Sequence, residues 1–132
     1  MARIIVMITA LALGGCAVTA MTPEKWAAVP DDRICVGVSY ARAGYKPQAD
    51  GINELRRRDM VRNQYMETIQ AKKIALGMNT CELVASWGPP TDTNRSVHQW
   101  GTDTQWVYGT FTRSGGPKYV YTENQVVTSW QE

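Results

Sequence analysis

The sequence is poor in the residues and runs that several protein classes require. It has 132 residues with one histidine and three cysteines, which excludes a metal site built from several histidines. No apolar run reaches the roughly 18 residues that a membrane-spanning helix needs. The formal net charge is only +2, which excludes a nucleic-acid binder held by bulk charge. The hydrophobic fraction of 44% argues against disorder over most of the chain, and the length suits one domain.

Motifs that carry catalysis are scarce as well. The sequence has no phosphate-binding loop, no dinucleotide fingerprint and no calcium loop. The stretch 37–41 (GVSYA) is similar to a G-x-S-x-G nucleophile motif but ends in alanine, in a chain too short for that fold. His98 is the only histidine, and its position next to Gln99 and Trp100 is more typical of a strand surface than of a catalyst. We therefore expect no enzymatic activity, no cofactor and no small-molecule substrate.

The first sixteen residues, MARIIVMITALALGGC, have the layout of a secretory signal. Arg3 supplies a positive charge, an uncharged apolar stretch occupies 4–13, and small residues precede Cys16. The segment 13–16 (LGGC) resembles the lipobox of bacterial lipoproteins, which implies cleavage before Cys16 and acylation of that cysteine. The alternative is an ordinary secretory signal cut elsewhere, such as after Ala20. We expect a signal peptide at 1–15 and a contact with the membrane through acylated Cys16.

The expected compartment bears on the other two cysteines. Gram-negative lipoproteins with Asp after the acylated cysteine tend to stay at the inner membrane, so Ala17 favours the outer membrane by analogy. The predicted location is the outer membrane, lipid-anchored and facing the periplasm. That compartment is oxidising and permits a disulfide bond between Cys35 and Cys81. Two separate buried thiols are the alternative.

The segment 16–50 has no regular apolar period, and we predict a tether followed by irregular structure. Within it, 34–40 is compatible with a short strand, but the glycines around it favour a loop. A helix is predicted over 51–73, with Asp50 as its N-cap. Four arginines fall within two turns of that helix, namely Arg56, Arg57, Arg58 and Arg62. They form either a solvated face with i,i+4 ion pairs or a basic patch that contacts anionic lipid or an acidic partner.

The last third of the chain has clearer signals. Asn79 and Glu82 have the spacing of a capping box, while Gly88 and the following Pro89-Pro90 end a short second helix. Strands are predicted at 104–112, 118–122 and 125–130, and Gln99 to Gly101 can begin a further one. Trp106 and Tyr108 alternate along the strand at 104–112 and are candidate partner contacts, as are the four arginines.

Several of these segments, taken in order, resemble one known family. The segments are 77–84 (GMNTCELV), 87–90 (WGPP), 105–108 (QWVY), 119–121 (YVY) and 125–127 (QVV), and a lipobox precedes them. Together they are similar to the SmpA/OmlA (BamE-like) family of small outer-membrane lipoproteins. The resemblance implies an α+β fold with two helices packed on a three-stranded antiparallel sheet at 51–132. It also implies an accessory to outer-membrane protein assembly or envelope integrity, with an envelope protein as partner. The alternative function is a binding or inhibitory module that acts on an envelope enzyme or a phage component.

Overall fold

The computed structural model describes residues 20–109 and 116–132. The predicted signal peptide and Cys16 therefore lie outside the described residues. Within them, the chain forms an α+β fold in which helices precede an antiparallel sheet. The helices are α1 (Pro23–Ala27), α2 (Asp31–Tyr40), α3 (Lys46–Arg57), α4 (Met66–Gln70) and α5 (Thr80–Trp87), with a 3-10 turn at Asn63–Tyr65. The strands are β1 (Asp92–His98), β2 (Gly101–Tyr108), β3 (Lys118–Glu123) and β4 (Val126–Gln131).

The predicted α+β class is confirmed, but the number of elements is not the predicted one. The described residues form five α-helices and four strands, whereas two helices and three strands were expected. The four strands follow one another in the sheet in the order β1-β2-β3-β4, and every pair is antiparallel. None of the helices in the described part of the chain is both long and apolar enough to span a membrane.

The expectation of irregular structure up to residue 50 is wrong from Pro23 onward. Thr22 caps α1, and Pro23 occupies its first turn, where the missing N–H costs no hydrogen bond. The stretch expected as strand or loop at 34–40 is helical and contributes two fully buried side chains, Ile34 and Val38. The helix α1 buries one residue and α2 buries two, so neither helix has a long repeat of apolar residues that the sequence would reveal.

The helix predicted over 51–73 begins earlier and ends earlier than expected. It starts at Lys46. It stops at Arg57 because Asp59, two residues later, takes a left-handed conformation with φ of 58°. The N–H of Met60 then donates to the carbonyl of Leu55, which closes the helix end in the manner of a Schellman motif. That conformation usually favours glycine, so an aspartate gives no warning of the break.

The prediction for α5 is confirmed in detail. Asn79 accepts from the N–H of Glu82 and the carboxylate of Glu82 accepts from the N–H of Asn79, forming a reciprocal capping box. Gly88 follows the last helical residue with φ of 88°. Both ends of this helix are set by local chemistry.

The core lies between the helices and the inner face of β2, β3 and β4. Trp26 is 2% exposed, and its Nε1 donates to the carbonyl of Pro47 at 2.9 Å. Gly37 on α2 and Gly51 on α3 face its ring, which lets both helices approach closely. Met78, Leu83, Val120 and Val127 continue the core from α5 to the sheet.

Candidate binding surface

Cys35 and Cys81 form a disulfide bond, which confirms that prediction. Cys35 lies on α2 and Cys81 lies in the first turn of α5, with their Cα atoms 5.4 Å apart. The bond joins residues 46 positions apart in sequence. In the chain-entropy description, a loop of that size contributes about 3–4 kcal/mol. The bond therefore fastens α2 to the helix that supports the sheet.

The four predicted contact arginines have different partners, and one of them is mostly buried. Arg58 is the most deeply placed, with a side chain only 13% exposed. Its Nη2 donates to the carbonyls of Trp26 and Ala27, its Nη1 donates to the carbonyl of Val29, and its Nε donates to Glu54 at 2.7 Å. Arg58 thus caps the carboxyl end of α1 and holds it against α3, a structural role.

Arg57 shares its partner with Arg58. Its Nη2 lies 2.6 Å from Oε1 of Glu54, and its Nε lies 2.9 Å from Oε2 of the same carboxylate. The hydrogen bonds from Arg57, which have the larger effect, and from Arg58 lower the pKa of Glu54 from its ordinary 4.5 to about 2. This pairing agrees with the simpler of the two sequence interpretations, a helix face carrying local ion pairs.

Arg62 belongs to a different contact. Its Nη2 lies 2.6 Å from Oε2 of Glu82, a carboxylate with no exposed surface, and also donates to the carbonyl of Gly77. The backbone N–H of Arg62 donates to Glu82 as well, at 2.8 Å. Because Glu82 also completes the capping box of α5, this cluster ties the loop after α3 to the start of α5.

Arg56 remains exposed, with no ion pair to any residue in the described part of the chain. It lines a shallow depression of about 550 Å³ with Arg57, Asp59 and Arg62. A second depression of about 350 Å³ places it with Pro23, at the start of α1. Of the predicted basic patch, the surface presents Arg56 together with Arg57 and Arg62, whose side chains are 68% and 48% exposed although both are paired with carboxylates.

Trp106 and Tyr108 point towards the helices and are half-buried. Nε1 of Trp106 donates to Oγ1 of Thr122 at 3.0 Å. The hydroxyl of Tyr108 donates to the carbonyl of Gly88 at 3.1 Å, its ring meets Trp87 edge to face, and burial raises its pKa. Tyr108 thus joins the sheet to the end of α5, while Trp106 packs against the core and bonds to the neighbouring strand β3.

The opposite face of the sheet carries a row of polar side chains that crosses all four strands. Asn94 on β1 donates to Gln105 on β2 at 2.8 Å, and Gln105 donates to the hydroxyl of Tyr121 on β3 at 3.2 Å. The hydroxyl of Tyr121 donates in turn to Gln131 on β4 at 3.3 Å. A shallow polar depression of about 490 Å³ lies over this row.

The β1–β2 hairpin projects beyond the helices. Every side chain of β1 is exposed except that of His98, which is half-buried. Val97 is 70% exposed and Trp100, in the turn, is 73% exposed. The ring of His98 stacks on Trp100 with a centroid distance of 5.0 Å, and its Nε2 lies 3.1 Å from the carboxylate of Asp103. The hairpin therefore presents a large aromatic side chain held in place at its tip.

The sequence interpretation missed this surface. It expected a first strand to begin at Gln99 to Gly101, whereas β1 begins at Asp92 and Gln99 lies in the turn after it. The sequence of β1, DTNRSVH, contains a single apolar residue and so has no alternation of apolar and polar positions. One local signal was available, Gly101 directly after Gln99-Trp100, which is compatible with a turn.

Comparison with protein-family models, curated proteins and solved structures gives no match for this chain. The candidate binding surface is therefore identified from its geometry alone, chiefly from the exposed side chains at the hairpin tip.

Proposed function

We propose that the protein is a lipid-anchored binding protein of the outer membrane, facing the periplasm, that docks another envelope protein through its β1–β2 hairpin. The observation that carries this proposal is the exposure of Trp100 and Val97 at the hairpin tip. Tryptophan is enriched among the residues that dominate binding energy at protein interfaces. His98 stacks on the indole, so the side chain is already ordered before a partner arrives.

The sequence of residues 1–16 supports the anchor. A lipobox ending in Cys16 provides acyl chains, and two or more chains hold a protein stably at a membrane. Arg56 lines one depression with Pro23, which follows Cys16 by seven residues, so its charge would lie on the membrane side of an anchored domain; Asp50 and Glu54 line the same depression. This part of the proposal requires one exposed cation and no extended basic patch.

The motif resemblance supports the choice of process. Ordered segments similar to the SmpA/OmlA (BamE-like) family favour an accessory to outer-membrane protein assembly or envelope integrity. The alternative, a module that inhibits an envelope enzyme, uses the same hairpin and differs in the partner.

The experiment is crosslinking of the full chain in its envelope, with a photoreactive amino acid in place of Val97. Recovery of outer-membrane assembly components supports the accessory role, whereas recovery of one hydrolase with loss of its activity replaces it with the inhibitory role. Trp100→Ala should reduce the crosslinked product about tenfold, and Tyr40→Ala, which removes an equally exposed ring on α2, should leave it unchanged. Equal effects of both substitutions would refute the hairpin as the docking surface.

The anchor is tested separately. Cys16→Ser should move the protein from the outer-membrane fraction to the soluble fraction, because the acylated residue is lost. If the variant stays with the outer membrane, the lipobox interpretation is wrong.

A further inference from the structure

The two edges of the sheet are built differently. Beside β4, the N–H of Gly77 donates to the carbonyl of Val127 and the N–H of Val127 donates to the carbonyl of Met78, both at 2.8 Å. Asn79 forms a further bridge to Val126, and the pairing of β3 with β4 shifts register at Tyr121. The edge at β4 is thus covered over part of its length and interrupted by a bulge, two of the ways in which natural proteins protect a sheet edge.

The edge at β1 has neither protection. Its seven residues pair with β2 without a register shift, from Asp92 opposite Val107 to His98 opposite Gly101. The strand contains no proline and no lysine. Across the described ranges 20–109 and 116–132, no backbone group pairs with its outer side. A straight edge of this length that is neither covered nor bulged, with Arg95 as its one basic residue, is a template for one more strand of suitable charge.

The register identifies the groups that face outward. The two-residue turn 99–100 pairs His98 with Gly101, and alternate residues of a strand direct their backbone groups to opposite sides. Ser96 and Asn94 therefore bond to β2, while Thr93, Arg95 and Val97 face the free edge. The carboxylate of Asp92 accepts from the N–H of Thr93 at 2.8 Å, which agrees with an outward direction and occupies that donor locally. Arg95 and Val97 remain as donors for an added strand.

We propose that β1 accepts an extended segment of another protein as a fifth strand, with a carboxylate opposite Arg95. This inference rests on the proposed binding role and specifies its partner. Arg95 is exposed at the centre of β1, with Val97 beside it on the same face. A directly opposed carboxylate stabilises a cross-strand pair, and an apolar residue would cover Val97.

The same residue argues against a second copy of this chain. Two β1 strands paired antiparallel over their full length around a two-fold axis place Arg95 opposite its own copy. Like charges directly opposite each other destabilise a strand pair. Arg95 therefore selects against self-pairing and in favour of an acidic segment.

The test uses the full chain in detergent and two synthetic seven-residue peptides of alternating threonine and valine. One peptide has a central glutamate and the other a central lysine. NMR hydrogen exchange of the Arg95 and Val97 amides should slow about tenfold at a peptide concentration ten times Kd. The Ser96 and His98 amides serve as internal controls. The glutamate peptide should bind about fivefold more tightly than the lysine peptide, and Arg95→Glu should reverse that order.

Three outcomes would overturn the inference. The first is unchanged exchange at Arg95 and Val97 with both peptides, and the second is equal affinity for the two peptides. The third is protection of these amides that rises with protein concentration in the absence of peptide, which would indicate self-pairing. An envelope partner that crosslinks at the hairpin while the edge amides stay unprotected would sustain the proposed function and reject only the added strand.

Discussion

Gly51→Ala is expected to destabilise the protein, although helix propensity alone favours it. Gly51 lies inside α3, and replacing a glycine with alanine in a helix interior contributes about 1 kcal/mol of stability. A Cβ at this position would lie 2.8 Å from Cγ2 of Val38 and 3.0 Å from the ring of Trp26. Distances below 3 Å force a neighbour to move.

Neither neighbour moves easily. Val38 is fully buried and β-branched, and the indole of Trp26 is fixed by its hydrogen bond to the carbonyl of Pro47. Overpacking of this kind costs roughly 1–3 kcal/mol, and the middle of that range, about 2 kcal/mol, exceeds the gain of about 1 kcal/mol in propensity. We expect a net loss of about 1 kcal/mol in the free energy of unfolding.

Urea denaturation followed by tryptophan fluorescence measures this difference. With a slope of about 1–3 kcal/mol per molar urea, the midpoint should fall by roughly 0.3–1 M. Gly37→Ala is the matched control, because its Cβ would lie 3.2 Å from a single ring atom of Trp26. Its midpoint should change less than that of Gly51→Ala. A Gly51→Ala protein more stable than the parent would refute the close approach of α2 and α3 around Trp26.

Three further predictions concern the contacts around the helices. Replacing both cysteines, Cys35→Ser together with Cys81→Ser, should lower the free energy of unfolding by about 3–4 kcal/mol, measured by urea denaturation. In the parent protein, a thiol count after unfolding that is the same with and without reductant would contradict the bond. Arg58→Ala should cost about 2 kcal/mol, because the substitution leaves three carbonyls without their charged donor and removes one of the two arginines that bond to Glu54. Arg57→Ala should cost clearly less, and equal losses would show that Arg58 does not hold α1. Since the pKa of Glu54 is lowered from 4.5 to about 2, its contribution to stability is present above pH 4.5 and is lost as the pH falls towards 2; Glu54→Gln should flatten the fall of the urea midpoint in that range.

How much of the fold the sequence predicts depends on whether a signal is local. The start and end of α5 follow from Asn79, Glu82 and Gly88, whose roles need no distant partner. The strands β2 and β3 were each marked by two aromatic residues in alternate positions. In contrast, α3 ends at a left-handed Asp59, and β1 has no apolar face, so neither boundary has a signature in composition.

The candidate site shows the same division. Pairing of Cys35 with Cys81 was expected from the compartment and is present. Arg58 bonds to Asp31, 27 positions away, and Arg62 bonds to Glu82, 20 positions away. Only the tertiary structure brings these residues together. Counting charges on the predicted helix therefore overestimated the free positive surface.

The fastening of α1 has a mechanical consequence. The chain enters the described fold at residue 20, just before α1, so tension applied through an N-terminal anchor would reach this five-residue helix first. A helix of five residues would not resist this force by itself. However, Trp26 is buried in the core, and Arg58 donates to the carbonyls of Trp26 and Ala27 at the carboxyl end of α1. Load would pass from α1 to α3 through several hydrogen bonds at once. Force applied at the N-terminal side would thus meet several contacts before α1 could unfold.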